Sequence, residues 1–301
     1  MNHHFFPPYD FELSAEALRH YSVCWKRIPT PEGSLLRRVI RVGDVLVLVQ
    51  VRSMGEPEAP KLEVEVLHQT GDFDRQTYET KIRWLLHPHV DPRPFYAVAK
   101  SVPALAETTR QLYGLRTFGL DTLFESLVTT MIEQQITLKM AQQSERWLIE
   151  QFGDALIYEG EPYYTFPAPS KLASVDAEVF APLKITFVRI RRILALAQGI
   201  TDGTLPLESW RELPTQNLYE NLLALNGVGH WTACWTMLRA VGEFRNFGAA
   251  DVALRAALNW YAHGQTGRIA RESVDPFFEV LGEYAGLGAY YLLTRWALDR
   301  Y

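Results

Sequence analysis

The chain has little cysteine: Cys24 and Cys234 are the 2 in 301 residues, and they lie far apart. That spacing supports neither a disulfide framework nor a zinc or iron–sulfur site held by Cys. Long apolar runs are also missing, so no stretch suits a membrane span. The opening Met1-Asn2-His3-His4-Phe5-Phe6 lacks the basic start and apolar core of an export signal. The expectation is a soluble, cytoplasmic protein, nucleoid-associated if bacterial, with no membrane partner. Positive charge is not in excess either: 30 Lys and Arg stand against 35 Asp and Glu, a net charge of -5. Nucleic-acid binders normally carry a basic footprint, so any contact with DNA must rest on local charge. Lys184, Arg189, Arg191 and Arg192 form one such run, a pattern that a plain solvated helix face also produces.

What is present is a core. With 48% hydrophobic and 12% aromatic residues, the chain can fill two or three packed units. Residues 35–42 and 44–51 are rich in Val, Leu and Ile around Gly43-Asp44, and 62–67 alternate apolar with polar, which reads as an antiparallel meander. Residues 73–86 then carry apolar positions at helical spacing, ended by Pro88. From about residue 94 strand signals vanish, and helix-period segments follow to the end, separated by breakers such as Gly153, Pro167-Ala168-Pro169 and Pro214. The predicted class is α+β: an N-terminal α+β domain over residues 1–100 and an all-α region over 101–301. No repeat or low-complexity segment interrupts this order.

The most informative segment is Leu222-Leu223-Ala224-Leu225-Asn226-Gly227-Val228-Gly229-His230-Trp231-Thr232-Ala233. A short amphipathic helix runs into Gly-Val-Gly and straight into another helix, so the two glycines are expected to supply a tight turn. Such a hairpin exposes backbone amides at the start of its second helix, where a phosphate oxygen fits. An ordinary αα-corner reads the same way. Further on, Asp251 precedes Val252-Ala253-Leu254-Arg255 and is expected to open a helix, as a plain N-cap would.

Together, Gly227-Val228-Gly229-x-Trp231-Thr232-Ala233 and an Asp at this distance resemble the helix-hairpin-helix DNA glycosylases, and within them the 3-methyladenine type. Phe124-Glu125-Ser126-Leu127-Val128 through Glu133-Gln134-Gln135-Ile136-Thr137 resembles that family's first long core helix and the polar break after it. The resemblance implies two helical lobes, 122–240 and 101–121 with 241–301, around a cleft. It implies Asp251 as the catalytic carboxylate, Trp235 and Trp296 as walls of the base pocket, and Gln135 as a wedge that fills the gap left by a flipped base. It implies DNA contacts at Gln134, Gln135, Gly227, Val228, Gly229, His230, Thr232 and Arg255. The carbonyls of Leu223, Leu225 and Val228 would hold a monovalent cation, Na+ or K+, and no other cofactor is implied.

The chain departs from the family at Phe247-Gly248-Ala249-Ala250, which lacks the usual proline, at Leu183-Lys184-Ile185, where Gly is common, and at Gly286-Leu287-Gly288, where Pro-Trp-Arg usually stands. Members that form a Schiff base carry Lys at the position of Trp231, so the resemblance implies a monofunctional enzyme with no β-elimination. The expected reaction is hydrolysis of the N-glycosidic bond of an alkylated base in damaged duplex DNA, with Asp251 stabilising the oxocarbenium-like transition state. A cationic alkylated purine leaves readily and suits an aromatic pocket. Two other readings stay open: a glycosylase for oxidised or deaminated bases, and a non-catalytic hairpin protein that only binds DNA. Nothing in the sequence asks for an obligate protein partner or for more than a monomer.

Overall fold

The computed structural model describes residues 2–300. Its N-terminal unit is a five-stranded antiparallel sheet, β1 (Asn2–His4), β2 (Lys26–Thr30), β3 (Gly33–Val42), β4 (Val45–Ser53) and β5 (Lys61–Gln69), in the order β1-β5-β4-β3-β2. The three central strands are those the sequence marks. β2 contains Pro29 and sits at an edge, where a missing donor is tolerated. Helices α1 (Phe11–Leu18) and α2 (Arg75–Leu86) cover one face, packing Phe11, Ala15, Ile82 and Leu85 on Leu36, Ile40, Val47 and Val49. Each is N-capped by an aspartate, Asp10 and Asp74.

The helical region begins where the pattern changes, near residue 94, and so earlier than the expected domain boundary at residue 100. α3 (Arg93–Ala99), which a division near residue 100 leaves with the sheet, packs Phe95 and Ala99 into the core of the C-terminal helices. That core is built by α4 (Pro103–Gln111) and by three helices from the far end of the chain. One lobe is formed by α5 (Leu123–Glu133), α6 (Leu138–Phe152), α7 (Pro169–Leu172), α8 (Phe187–Thr201), α9 (Thr215–Leu223) and α10 (His230–Val241), around Leu127, Val128, Ile190 and Met237. The other joins α3 and α4 to α11 (Val252–His263), α12 (Asp275–Glu279) and α13 (Ala285–Leu298), around Leu105, Leu254, Leu258 and Tyr291.

The helical region is not all-α. A hairpin of β6 (Ala155–Tyr158) and β7 (Glu161–Tyr164) turns through Glu159 and Gly160, both at positive φ. Leu156 and Tyr163 pack on Val39, Leu46 and Leu48, the sheet face opposite α1 and α2. Both faces of β4 are thereby buried, which is why its sequence reads as a near-continuous apolar run. A buried pair of Arg38 on β3 with Glu125 on α5 ties the same sheet to the first lobe.

Candidate active site and nucleic-acid interface

The two lobes meet where α10 hands over to α11, and the loop between these helices lines a narrow cleft. Trp235 and Leu238 come from α10, Leu254 from α11, and Ala289 and Leu293 from α13. Asp251 is the one carboxylate among the lining residues. Cys234 also lines the cleft, but burial pushes its thiol up to about 12, so it stays protonated and non-nucleophilic.

Asp251 caps α11. Its Oδ1 accepts hydrogen bonds from the backbone amides of Ala253 (2.8 Å) and Leu254 (2.9 Å). Its Oδ2 accepts one from the indole Nε1 of Trp231 at 2.7 Å. The expected N-cap is therefore real, yet it uses only one carboxylate oxygen. The other is held from the hairpin helix by Trp231, which the sequence marks only as standing where Schiff-base-forming relatives carry Lys. Gly248 makes that approach feasible: a Cβ there would lie 2.4 Å from Trp231 Cδ1. The signal is present in Gly248 and Trp231 together, since an indole packed this closely against a loop leaves no room for a Cβ.

The hairpin forms as expected, with α9 running through Gly227-Val228-Gly229 into α10. Only Gly227 meets the expectation of a turn too tight for side chains. It has φ 88, and a Cβ there would lie 2.6 Å from Arg192 Cδ, so the arginine stem lies against the turn. Gly229 is extended at φ -102, and a Cβ there would meet nothing within 4 Å, so the fold alone does not require glycine. Its bareness leaves the first-turn amides of α10, which have no intrahelical acceptor, open to a ligand. The Leu225 carbonyl accepts from Val228 N at 3.1 Å, whereas those of Leu223 and Val228 accept no backbone hydrogen bond among the described residues. Two of the three oxygens expected to face a cation are thus free to do so, in a turn whose donors are neutral carbonyls suited to a monovalent ion.

Other expected contacts sort differently. Gln135 is exposed and in left-handed conformation (φ 58) at the break between α5 and α6, a position that projects its side chain. Gln134 is not free for DNA: its amide donates to Gly227 O (3.1 Å) and Thr232 Oγ1 (2.8 Å), fastening the end of α5 to the hairpin. That corrects both Gln134 and Thr232, whose side chain is buried beneath the turn. The ring of His230 is also engaged by protein, through Tyr219 and the Phe247 carbonyl, which leaves its backbone amide for a phosphate. Arg255 donates from Nε to Ile269 O at 2.8 Å and so braces the loop after α11.

Of the two expected pocket aromatics, Trp235 lines the cleft. Its indole stacks with Tyr21 (centroids 6.4 Å apart, 23° between planes), and the Arg239 guanidinium lies 5.3 Å from its ring. Arg239 is itself paired with Glu133 on α5 at 2.7 and 2.8 Å. Trp296 is a correction: it lies outside the cleft, edge-on to Tyr261 and under the Arg300 guanidinium, 3.3 Å from the ring centroid. The helical period that placed an aromatic on α13 says nothing about which face of that helix turns to the cleft.

The departures from the family pattern have local reasons. Gly286 and Gly288 let α13 press against its neighbours, since a Cβ at Gly286 would lie 2.5 Å from Asn246 O and one at Gly288 2.5 Å from Leu281 Cδ1. Lys184 adopts φ 53, the left-handed state for which glycine is the usual choice. In the basic run, Arg189 is buried and points to Ile132 O at 3.4 Å, so Arg191 and Arg192 are the members that line a groove beside the hairpin.

No family model matches the chain. It is 28% identical over 226 residues, 74% of each chain, to the DNA-3-methyladenine glycosylase of Bacillus subtilis. Among solved structures it is similar to the 3-methyladenine DNA-glycosylase of Archaeoglobus fulgidus (TM-score 0.77, 20% identity, covering 100% of this chain and 98% of the other). A second is the Clostridium acetobutylicum 8-oxoguanine glycosylase/lyase in complex with double-stranded DNA (TM-score 0.73, 18% identity, covering 98% and 94%). At those identities the two structures share the fold with this chain. The hairpin, the capping aspartate facing a cleft between two lobes and the B. subtilis relative agree: the chain is similar in sequence to a DNA-3-methyladenine glycosylase and shares its fold with solved DNA glycosylases.

Proposed function

We propose that this protein is a monofunctional DNA glycosylase that removes alkylated, 3-methyladenine-like bases from duplex DNA as the first step of base excision repair. The observation that carries the proposal is Asp251: a carboxylate in the cleft, fixed through three hydrogen bonds to two different helices. A duplex would rest a phosphate on the amides at the start of α10, while the exposed Gln135 enters the stack where the target base has swung out. A monovalent cation held by the carbonyls of Leu223, Leu225 and Val228 would add positive charge beside that phosphate.

Inside the cleft the base would lie against Trp235, whose ring face attracts a cationic purine. As the C1′–N bond breaks, its electron pair leaves with the base, which becomes neutral, and positive charge grows on the sugar. The free lone pairs of the Asp251 carboxylate stabilise that charge, and water adds at C1′ and loses a proton to solvent to give an abasic site. Trp231 carries no amine, so the sugar is not captured as a Schiff base and the strand stays intact. This weighs against a lyase-type reading despite the fold shared with an 8-oxoguanine glycosylase/lyase.

Asp251→Asn tests the assignment. Asn retains the capping oxygen, but its amide sets a donor opposite the Trp231 N–H, at a cost of about 1–3 kcal/mol. The folded variant is expected to bind duplex DNA while free-base release from a methylated duplex, followed by chromatography, falls at least about a hundredfold. Wild-type release rates from the folded variant would remove Asp251 from the reaction.

A further inference from the structure

Resting on the glycosylase reading, we infer that His230 is a positioning residue that holds the Asp251 loop to the DNA-gripping hairpin, through its ring and not through contact with DNA. The ring bridges two elements. Nε2 lies 2.8 Å from the Phe247 carbonyl, four residues before Asp251, and Nδ1 lies 2.6 Å from the Tyr219 hydroxyl on α9. A carbonyl can only accept, so Nε2 carries the hydrogen. In the neutral ring Nδ1 is then the acceptor and the Tyr219 hydroxyl the donor. One tautomer satisfies both bonds, and the ring becomes a strut of fixed length from the first hairpin helix to the catalytic loop.

The strut has a companion. Trp231, the next residue, holds Asp251 itself and lies on Gly248. Two consecutive side chains of one helical turn thus fasten the 247–251 loop at both ends, and the loop closes on itself through Asp251 N to Gly248 O at 2.8 Å. The backbone of the same turn is where a phosphate would dock. Seating the duplex and aiming the carboxylate therefore share one rigid piece. His230 is exposed, so its side chain adds little to the core. Both of its ring nitrogens are instead committed to the loop and the neighbouring helix.

The test separates the two nitrogens. In His230→Gln the side-chain amide reproduces the Nε2 donor, in His230→Asn a polar atom falls near Nδ1, and in His230→Ala neither is present. All three retain the backbone amide. The expected result is a single-turnover base-release rate reduced by roughly 10- to 100-fold in His230→Ala and His230→Asn, with substantial recovery in His230→Gln, because an error of about 1 Å at a catalytic group costs on that order. Duplex affinity, by fluorescence anisotropy on an undamaged probe, is expected to change less than about threefold. Unchanged single-turnover rates in His230→Ala, or a loss confined to affinity, would overturn the inference. Absence of base release by the wild type would instead overturn the glycosylase reading on which it rests.

Discussion

Gly248→Ala puts the geometry of the site under its sharpest strain. The backbone there is outside the left-handed region, so the substitution acts through space alone. The new Cβ would stand 2.4 Å from Trp231 Cδ1, 3.1 Å from Cγ and 3.2 Å from the tryptophan Cβ. Carbon atoms in contact settle at about 3.5–4.0 Å, so the indole must retreat by roughly 1 Å. That displacement stretches the 2.7 Å bond from its Nε1 to Asp251 Oδ2 beyond hydrogen-bonding range. A hydrogen bond to a charged group is worth about 1.5–3 kcal/mol, and 1.4 kcal/mol is a factor of ten in rate, so the alanine variant should lose on the order of 10- to 100-fold in single-turnover base release. The control is the same change in a Trp231→Ala background, where the obstructing ring is gone and the second substitution should cost little. Full activity in Gly248→Ala, or an equal loss in both backgrounds, would refute the claim that the tryptophan–aspartate bond is what the glycine protects.

Other expectations follow from the same geometry. Trp235→Ala should slow base release, while Trp296→Ala should leave it within about twofold, because only the former ring lines the cleft; parallel single-turnover assays decide. Gly227→Ala forces a Cβ into φ 88 and against Arg192, which should cost about 1–2 kcal/mol in thermal unfolding and weaken duplex binding measured by anisotropy. Glu145 is buried, and desolvation, reinforced by Glu133, holds its carboxyl well above the ordinary value of 4.5. The folded chain then keeps a proton that the unfolded chain releases, so this group's contribution is full below 4.5 and is lost as pH rises toward the folded value. Glu145→Gln should flatten that fall, and urea unfolding at a series of pH values above 4.5 reads it directly.

Much of the fold is legible because its signals are local. β3, β4 and β5 announce themselves by branched apolar residues, α5 by its period, and the hairpin by Gly227-Val228-Gly229. The β6–β7 hairpin escapes such a reading although Glu159-Gly160 is a turn signal, because its flanks are short and Leu156 and Tyr163 only make sense once the sheet face they cover is known. α3 falls to the wrong neighbours for a related reason. Its seven residues do not reveal that Phe95 is buried against Tyr291, near the other end of the chain, with ring centroids 5.0 Å apart.

The sequence by itself determined that a helix begins after Asp251 and that a glycine turn precedes α10, because capping and positive φ are properties of a few adjacent residues. It also determined, through Trp231, that no amine stands at that position. Only the tertiary structure decided which way side chains face. Trp235 turns into the cleft and Trp296 away from it, Gln134 is taken up by the hairpin while Gln135 stays free, and the aspartate's second oxygen is claimed by an indole twenty positions earlier. Those choices depend on how each helix is rotated against its packing partners and, for the indole–aspartate bond, on how two lobes close on one another, which no pattern of neighbours along the chain encodes.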